Sequence, residues 1–263
     1  MGNYLVTGAG GGMGTAICRR LTDGGHRVWG LDRELQEAPA WRMIPADVTR
    51  PEELQAALEI VRREAGRLDG IVHTAGLYDL ASLVEMPEED FLRDFDVNVN
   101  GAFRVNRLFL PLLGEKGRIV IVTSELAPLH AMPFTGIYAV TKTALDRYAE
   151  ALRMELQLLD RQVIVIRPGA VRTAMLPHST AKLERFCRET KLYPCNAARF
   201  RSIVERVEAR SVPPEEIAAL IGRALETRHP RPVYSINRNT MLRLFSILPL
   251  RLQLRLIRTV LCS

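Results

Sequence analysis

Short runs of consecutive apolar residues alternate along the chain with longer segments in which apolar residues recur every three or four positions. The short runs have the length of strands that are buried on both faces, and the longer segments have the period of helices. The pattern predicts six strands, at residues 4–6, 27–32, 41–46, 70–73, 118–123 and 162–166. It predicts helices at about residues 13–21, 51–65, 87–113 and 135–159. Because helices separate buried strands, we expect an α/β fold with a doubly wound parallel sheet that is covered on both faces.

The chain of 263 residues contains no internal repeat and no low-complexity linker. We therefore predict a single domain at residues 1–237, followed by a C-terminal extension at residues 238–263, which forms a basic amphipathic helix. Residues 176–210 break the alternation, because they are mixed, charged and aromatic. They follow the sixth strand, where a segment can cover the carboxyl ends of a parallel sheet. This position indicates that the segment is a lid that covers a ligand site. The alternative is an irregular segment on the surface.

The composition excludes several classes of protein. Apolar residues make up 47% and charged residues 25%, the balance of an ordinary globular protein. No apolar run approaches the ~18 residues that a membrane span needs, and the first residues lack the features of a signal peptide. The four cysteines have spacings that match neither a zinc site nor a disulfide framework. We therefore expect a cytoplasmic protein with reduced thiols and no metal.

The positive charge of the chain is concentrated at one end. The formal net charge is +6, yet seven of the 36 basic residues follow Glu226 and no acidic residue does. The rest of the chain is close to neutral, which argues against nucleic acid as a partner. Only the last part of the chain therefore has a charge that calls for a functional explanation.

Glycines crowd the junction between the first predicted strand and the first predicted helix, at residues 7–14. The spacing is T-G-x-x-x-G-x-G, with Gly8, Gly12 and Gly14 in register. It departs from G-x-G-x-x-G, because Met13 stands at the sixth position from Gly8. Positions without a side chain allow the backbone to approach a pyrophosphate, which then meets the positive end of the helix. The junction therefore indicates a Rossmann-like fold that binds a dinucleotide.

The second predicted strand ends in Asp32, 24 residues after Gly8. A carboxylate near this position holds the adenosine ribose and would repel a 2′-phosphate, so NAD is favoured over NADP. The neighbouring Arg33 argues the other way, because a guanidinium could hold that phosphate. The alternative interpretation of Asp32 is a solvated acid at the end of a strand.

Tyr138 and Lys142 lie four residues apart on a predicted helix, so their side chains share one face. An ammonium beside a phenol stabilises the phenolate and lowers the phenol's pKa from ~10, which makes it a usable acid and base near neutral pH. The pair is therefore a candidate for proton transfer. The alternative is a surface pair on an exposed face.

Seven segments carry a resemblance to the short-chain dehydrogenase/reductase family: residues 7–14, 46–49, 73–76, 97–101, 117–124, 138–142 and 167–173. The resemblance covers most of the chain, and the motifs occur in the family's order. It implies an NAD-dependent oxidoreductase that acts on CH–OH groups. The implied catalytic residues are Asn98, Ser124, Tyr138 and Lys142. The implied cofactor contacts are Gly8, Gly10, Gly12, Met13, Gly14, Asp32, Arg33, Asp47, Val48, Ala75, Gly76, Tyr138, Lys142, Pro168, Gly169, Val171 and Thr173.

The resemblance also implies how these residues act. Asp47 contacts the adenine, and residues 167–173 meet the nicotinamide. Tyr138 gives a proton to a carbonyl oxygen or takes one from an alcohol, while hydride moves from or to the nicotinamide. Ser124 binds and orients that oxygen, and Asn98 holds a water that relays the proton. Lys142 lowers the pKa of Tyr138 and binds the ribose hydroxyls.

The chain departs from the family pattern in two places. Thr74 stands where the family usually has Asn, at a position that is mainly structural. Ser124 precedes Tyr138 by 14 residues, one more than is commonest, and the residue at the usual spacing is Glu125. We assign the catalytic position to Ser124, because strand register favours it and a carboxylate would repel the substrate oxyanion. The additional residue is expected in the loop at residues 126–134.

Residues 242–258 are mostly apolar with a stripe of arginines, and Arg251, Arg255 and Arg258 fall on one helical face. This profile fits an interfacial helix that makes peripheral contact with an anionic membrane. It also fits a helix that packs on its own domain or on a partner subunit. We favour packing, because an uninterrupted leucine surface must be covered by something.

The extension also looks like the C-terminal ends of family members that act on retinoids and steroids. The predicted lid adds a set of apolar residues: Met175, Leu176, Leu183, Phe186, Leu192 and Tyr193. Together they favour a lipophilic secondary alcohol or ketone, steroid-like or retinoid-like, as the substrate. The resemblance further implies a homodimer or homotetramer in which the helices at residues 87–113 and 135–159 pair between subunits.

Two rival functions remain. The domain could bind NAD(H) without turnover, as a redox sensor or a scaffold. It could also be a membrane-surface protein that keeps an inherited Rossmann domain. A protein that only binds the dinucleotide has no need of all four catalytic residues, so their presence together favours the enzyme.

Overall fold

The computed structural model of the protein describes residues 1–34, 40–173 and 175–262. Side chains are described outside residues 174–180. The expectation that the side chains of Met175 and Leu176 contribute to an apolar lid therefore lies outside the described residues.

Within the described residues, seven parallel strands form one sheet in the order β3-β2-β1-β4-β5-β6-β7. The strands are β1 (Asn3–Thr7), β2 (Arg27–Asp32), β3 (Arg42–Pro45), β4 (Leu68–His73), β5 (Leu113–Val122), β6 (Gln162–Pro168) and β7 (Val233–Ile236). The strand order reverses between β1 and β4, where open sheets of this kind bind their ligands. The predicted doubly wound, Rossmann-like sheet in a single domain is confirmed.

Ten α-helices accompany the sheet in the described part of the chain. They are α1 (Gly12–Asp23), α2 (Pro51–Ala65), α3 (Glu88–Phe95), α4 (Gly101–Phe109), α5 (Gly136–Leu156), α6 (Met175–Glu189), α7 (Pro194–Glu208), α8 (Pro214–Glu226), α9 (Thr240–Ile247) and α10 (Leu250–Cys262). Local sequence features explain where several of these helices begin and end. α2 begins at Pro51, whose missing N–H would have no partner in a first turn, and ends before Gly66 at φ +68°.

Alternate side chains of each strand pack on opposite faces of the sheet. On β1, Leu5 belongs to an apolar cluster with side chains of α2, α4 and α5. The next residue, Val6, belongs to a second cluster with side chains of α1 and α8. Because both faces of the sheet are buried in this way, only its edges and the ends of its strands are open to ligands.

The single helix predicted over residues 87–113 is interrupted twice. A π-helical turn, Asp96–Asn100, separates α3 from α4, and a 3₁₀ turn, Leu110–Leu112, follows α4. The second turn contains Pro111, which cannot continue an α-helix, so β5 begins directly afterwards at Leu113. The apolar period of the sequence does not reveal the π turn.

Two elements beyond β6 are absent from the sequence prediction. α8 begins at Pro214 and covers the face of the sheet that α1 also covers. β7 has only 4 residues and adds a seventh strand beside β6. A strand this short carries too little periodicity to be recognised.

α6 and α7 occupy most of the segment predicted as a lid. Residues 238–262, called the tail from here on, form α9 and α10 rather than one continuous helix. Leu248 adopts the extended conformation, with ψ 149°, because a residue before proline is driven out of the helical region. Pro249 then separates the two helices.

Candidate active site

The glycine loop turns tightly between β1 and α1. Gly8 has φ +69°, in the left-handed region that favours glycine. A Cβ on Gly14 would lie 2.0 Å from the carbonyl oxygen of Gly8, and a Cβ on Gly12 would lie 2.9 Å from Cβ of Thr173. Met13 packs partly buried against the cluster on the α1 side of the sheet. Gly8, Gly12 and Gly14 therefore have no room for a side chain, and the N-terminus of α1 lies at the carboxyl edge of the sheet.

Asp32 closes the loop from the neighbouring strand. Its Oδ2 accepts a hydrogen bond from the backbone N–H of Gly10 (2.9 Å), and its Oδ1 accepts one from the N–H of Glu34 (3.2 Å). Arg33 is exposed beside it. The carboxylate that the sequence analysis assigns to ribose binding thus lies directly beside the glycine loop.

Asp47 and Val48 follow β3 at the same edge of the sheet. Asp47 Oδ1 accepts hydrogen bonds from the backbone N–H (2.8 Å) and the hydroxyl (2.7 Å) of Thr49, which stabilises the turn before α2. Val48 is buried, and a Cβ on Gly101 would lie 2.7 Å from its Cγ2. The carboxylate of Asp47 therefore supports its own turn, and Val48 packs against the start of α4.

The end of β4 brings Ala75 and Gly76 to the glycine loop. A Cβ on Gly8 would lie 2.6 Å from the backbone nitrogen of Ala75. Thr74 donates a hydrogen bond from its hydroxyl to the carbonyl oxygen of Thr7 (2.7 Å). The residue that departs from the family pattern thus ties the end of β4 to the end of β1.

Asn98 lies in the π turn and is buried. Its Oδ1 accepts from the N–H of Leu77 (2.6 Å), and its Nδ2 donates to the carbonyl oxygen of Leu77 (3.1 Å) and to the hydroxyl of Thr141 (3.0 Å). A Cβ on Gly76 would lie 3.1 Å from Asn98 Oδ1 and 3.4 Å from Lys142 Nζ. Asn98 therefore orders the chain after β4 and connects it to α5. Because a π turn shifts the register of a helix, it is a frequent device at functional sites.

Tyr138 and Lys142 project from α5 next to the end of β5. Ser124 lies close enough to the Tyr138 hydroxyl to lower the pKa of the phenol. Lys142 Nζ donates to the carbonyl oxygen of Val122 (3.2 Å) and lies 5.9 Å from the centre of the Tyr138 ring. Three of the four residues that the resemblance marks as catalytic thus converge here, and Asn98 stands beside Lys142.

Burial sets the proton affinities of this pair. Burial raises the pKa of the Tyr138 phenol, the neighbouring Ser124 hydroxyl lowers it, and the negative charge of Glu125 raises it again. Burial lowers the pKa of Lys142 from 10.5 to about 8. The resemblance implied that Lys142 lowers the pKa of Tyr138; the structure gives this phenol a raised pKa, because desolvation outweighs the stabilising contacts.

Glu125 holds the start of the tail in place. Its Oε2 accepts a hydrogen bond from the backbone N–H of Asn239 (2.6 Å), at the start of α9. The residue at the commonest family spacing therefore supports the tail, while Ser124 is the one that lowers the pKa of Tyr138. The loop that holds the additional residue ends in Phe134, which has φ +62°.

Pro168, Gly169, Val171 and Thr173 lie at and after the end of β6. β7 approaches so closely that a Cβ on Gly169 would lie 2.0 Å from the carbonyl oxygen of Asn237. Val171 forms an isolated parallel bridge to the segment before α8. Thr173 then packs against the glycine loop, so this segment and the loop face each other across the switch point of the sheet.

An ion pair that the sequence pattern does not predict fixes α5. Arg167 donates two hydrogen bonds to Asp146, from Nε to Oδ1 (2.9 Å) and from Nη2 to Oδ2 (2.6 Å). The hydroxyl of Thr123 also donates to Asp146 Oδ1 (3.1 Å). This bidentate pair holds the helix that carries Tyr138 against the ends of β5 and β6. Its only sequence signal is a charged residue at the end of an apolar strand.

The sequence pattern does not predict the aromatic residues around Tyr138 either. The ring of Tyr78 packs edge-on against Tyr138, with centroids 4.6 Å apart. Phe134 contacts a set of lid rings at centroid distances of 5.1–5.4 Å: Phe186, Tyr193 and Phe200. The lid helices therefore present an aromatic, largely apolar wall next to the candidate active site.

Among the described residues, no group of three or more His, Cys, Asp or Glu side chains is arranged to hold a metal ion. Over the same part of the chain, no helix combines the length and the apolar character that crossing a membrane requires.

Comparisons with known proteins identify the family. A family model described as short chain dehydrogenase matches residues 3–184. A 3-ketodihydrosphingosine reductase from Bacteroides thetaiotaomicron is 26% identical over 229 residues, which are 86% of this chain and 84% of that protein. An uncharacterised short-chain type dehydrogenase/reductase from Sinorhizobium fredii is 31% identical over 225 residues, which are 84% of each protein.

Solved structures share the fold. The 3-ketoacyl-(acyl-carrier-protein) reductase from Brucella melitensis, solved in complex with NADH, has a TM-score of 0.73 at 21% identity, over 89% of this chain and 96% of that one. The family match runs from β1 into α6 and includes both the glycine loop and the Tyr138–Lys142 pair. The chain therefore belongs to the short-chain dehydrogenase/reductase family of oxidoreductases.

Proposed function

We propose that the protein is an NAD(H)-dependent oxidoreductase that interconverts a lipophilic secondary alcohol and the corresponding ketone. One observation carries the proposal: Ser124, at the end of β5, is close enough to the Tyr138 hydroxyl to lower its pKa, with Lys142 and Asn98 beside them. An acid, an oxygen-binding hydroxyl and a cation within one site support this reaction.

The residues at the switch point fit a nicotinamide dinucleotide. Side chains at Gly8, Gly12 and Gly14 would collide with neighbouring atoms, so these positions keep the backbone open to a pyrophosphate. We assign the pyrophosphate to the glycine loop, the adenosine to Asp32 and to the turn at residues 47–48, and the nicotinamide side to residues 168–173. When bound, the cofactor supplies or accepts the hydride.

Tyr138 holds the proton that the reaction requires, at its hydroxyl. Burial raises the pKa of this phenol, so it carries its proton at neutral pH and can donate it to a carbonyl oxygen. Ser124 shares the same oxygen and orients it. Lys142, whose pKa is lowered to about 8, is the nearest cation to stabilise the phenolate that remains after donation. The relay water expected at Asn98 stays a prediction.

The choice of NAD(H) over NADP(H) rests on Asp32. Its carboxylate is fixed beside the glycine loop by the N–H of Gly10 (2.9 Å), where it would repel a 2′-phosphate. Arg33 is exposed and could counter this effect.

Titration of the protein fluorescence with NADH and NADPH tests the assignment: tighter binding of NADPH would contradict it. Asp32→Ala is expected to bring the two affinities closer together, while Asp23→Ala, at the exposed end of α1, should leave their ratio unchanged.

The lipophilic substrate class is supported by the aromatic cluster of the lid, because Tyr78 packs both against this cluster and against Tyr138. The relative from Bacteroides thetaiotaomicron is named as a reductase of a lipophilic ketone, which favours the same class. We therefore propose steroid-like, retinoid-like or long-chain lipid ketones and alcohols as substrates.

A substrate screen that follows the absorbance of NADH tests the proposed activity, with steroids, retinoids, long-chain ketones and small sugars included. Tyr138→Phe should lower turnover about 10²- to 10⁴-fold, because the proton donor is removed while the ring remains. Cofactor affinity should be preserved. Tyr234→Phe removes a hydroxyl on β7 and serves as the matched control, with turnover unchanged.

Two results would contradict the enzyme. A Tyr138→Phe variant that keeps more than about a tenth of the wild-type rate would remove Tyr138 from catalysis. Tight NAD(H) binding without turnover of any lipophilic substrate would favour the rival function, a redox sensor or a scaffold.

A further inference from the structure

The tail leaves an unusual amount of apolar surface uncovered. Among the described residues, thirteen large apolar side chains are more than half exposed, and six of them lie in the tail. These six are Met241, Leu244, Ile247, Leu250, Leu254 and Val260. Scattered exposed leucines are ordinary on a protein surface, but a concentration of this kind marks an interaction site.

This surface is held in a fixed shape. Asn239 caps α9 by accepting hydrogen bonds from the N–H groups of Met241 (3.0 Å) and Leu242 (3.3 Å). The side chain of Gln253, buried on α10, donates to the carbonyl oxygens of Ser246 (3.4 Å) and Leu248 (2.7 Å) at the end of α9. These bonds lock the corner between the two helices, so the exposed side chains need no folding to act together.

The other end of the tail is docked on the lid. Leu261 is buried in a cluster with Phe200 of α7, and Ile257 packs against the same cluster. Asn196 (2.7 Å) and Arg199 (3.0 Å) donate to the carbonyl oxygen of Leu261. The packing favoured from the sequence thus uses one narrow face of α10 and leaves the apolar corner of the tail uncovered.

The charge of the tail identifies what can cover it. All four arginines of α9 and α10 are exposed: Arg243, Arg251, Arg255 and Arg258. None of them has a carboxylate within ion-pair distance in the described part of the chain, and the sequence offers no acid after Glu226. An apolar surface bordered by unpaired arginines is complementary to a bilayer whose headgroups are anionic.

A second copy of the chain is the less favourable occupant. A symmetric contact would place the same patch on both subunits, so the arginines of one tail would meet those of the other. Like charges brought together in an interface oppose association. We propose that the tail, through α9 and α10, is a peripheral docking surface for an anionic lipid bilayer. The proposal is independent of the catalytic assignment.

Cosedimentation of the full chain with vesicles tests the docking surface. Vesicles of phosphatidylcholine and phosphatidylserine should bind the protein at low salt and release it at high salt, because salt screens headgroup charges beyond a Debye length of ~8 Å at physiological ionic strength. Vesicles of phosphatidylcholine alone should bind it weakly.

Two pairs of variants separate the apolar and the charged contributions. Leu244→Gln with Ile247→Gln should weaken binding on the order of tenfold for each residue, because both side chains insert into the bilayer. The matched control is Val84→Gln with Leu192→Gln, two comparably exposed apolar residues outside the tail and outside the helices expected to pair between subunits. Arg251→Gln with Arg255→Gln should weaken binding roughly fivefold for each charge, and Arg19→Gln with Arg63→Gln is the control of equal charge.

Several outcomes would overturn the proposal. Absence of cosedimentation with the anionic vesicles at low salt is one, and equal loss in the tail variants and their controls is another. A third is a fall in molecular mass on light scattering in the Leu244→Gln, Ile247→Gln variant without any vesicle binding by the wild type. That result would assign the surface to a second copy of the chain.

Discussion

At the scale of single residues, His73 shows how a buried group makes stability depend on pH. It ends β4, is buried, and its Nε2 lies 2.8 Å from Asn106 Oδ1 in a hydrogen bond. Burial lowers the pKa of His73 to about 4 from its ordinary 6.5, although the hydrogen bond with Asn106 raises it slightly. As the pH falls, the unfolded chain takes up this proton before the folded chain does. The contribution of His73 to the free energy of unfolding is therefore complete above pH 6.5 and is lost as the pH falls towards 4.

We predict that His73→Asn flattens this loss. An amide can still form a hydrogen bond with Asn106 and does not titrate, so about 2 kcal/mol of the stability difference between neutral pH and pH 5 should disappear. Urea unfolding at neutral pH and at about pH 5 measures this difference in the free energy of unfolding. Lost packing would lower stability equally at both pH values.

The control for this experiment is His130→Asn, at an exposed position. It should retain the full pH dependence. Asp94 also contributes in this range, because burial raises its pKa to about 7, but its contribution is common to both variants and cancels. An unchanged pH dependence in His73→Asn would contradict the assignment of a neutral, buried imidazole.

The glycine loop and the Tyr138–Lys142 pair could be identified from the sequence, because each is a local pattern with a clear physical requirement. The partner of Glu125 could not, since Asn239 lies 114 positions away along the chain. The raised pKa of Tyr138 was equally hidden, because it depends on how much water the fold excludes. Single-residue chemistry is therefore predictable only where its cause is local.

At the scale of elements, the carboxylate of Glu85 anchors the turn of the lid to the body of the protein. Glu85 Oε2 accepts a hydrogen bond from the hydroxyl of Thr190 (2.6 Å). Its Oε1 accepts from the N–H groups of Lys191 (2.8 Å) and Leu192 (3.1 Å). These bonds lower the pKa of Glu85 and hold the short turn between α6 and α7. Lys182 on α6 adds an ion pair with Asp79.

We predict that Glu85→Ala loosens the lid without unfolding the core. Amide hydrogen exchange should accelerate in α6 and α7 and remain unchanged in the central strands, because only the lid loses its anchor. If the lid covers a lipophilic substrate, KM for that substrate should rise more than kcat falls.

The exposed Glu89→Ala change, on α3, is the matched control and should alter neither exchange nor KM. A Glu85→Ala variant whose exchange pattern equals that of the wild type would mean that other contacts hold the lid. The sequence indicated a lid from its position after β6, but its anchor could not be foreseen, because Glu85 precedes α3 and is distant from α6 along the chain.

At the scale of the whole molecule, the order of buried strands and helices was sufficient to predict the sheet, because each strand of β1 to β6 is an apolar run bounded by turn residues. The break at Pro249 could also have been predicted, since a proline cannot continue a helix. The π turn at Asp96–Asn100 could not, because its apolar period matches that of the helices beside it.

The exposed faces of α3, α4 and α5 bear on the oligomeric state that the family resemblance implied. Four large apolar side chains are exposed on these helices: Leu92, Phe103, Val140 and Met154. They lie on the helices expected to pair between subunits. We predict that the protein is a homodimer or homotetramer whose interface includes these faces. Light scattering at micromolar concentration should therefore give a mass at least twice 29.6 kDa.

Phe103→Glu with Met154→Glu should reduce the measured mass to that of a single chain, because the contact would then bury two unpaired carboxylates on each subunit. Circular dichroism should show an intact fold, since both side chains are exposed in the single chain. The Leu244→Gln, Ile247→Gln variant of the tail provides the control and should keep the mass of the wild type.

A single-chain mass for the wild type would refute this interface, whereas a mass that falls only in the tail variant would assign the interface to α9 and α10. The two surfaces can thus be separated: one would join copies of the chain, and the other would remain free to meet a membrane.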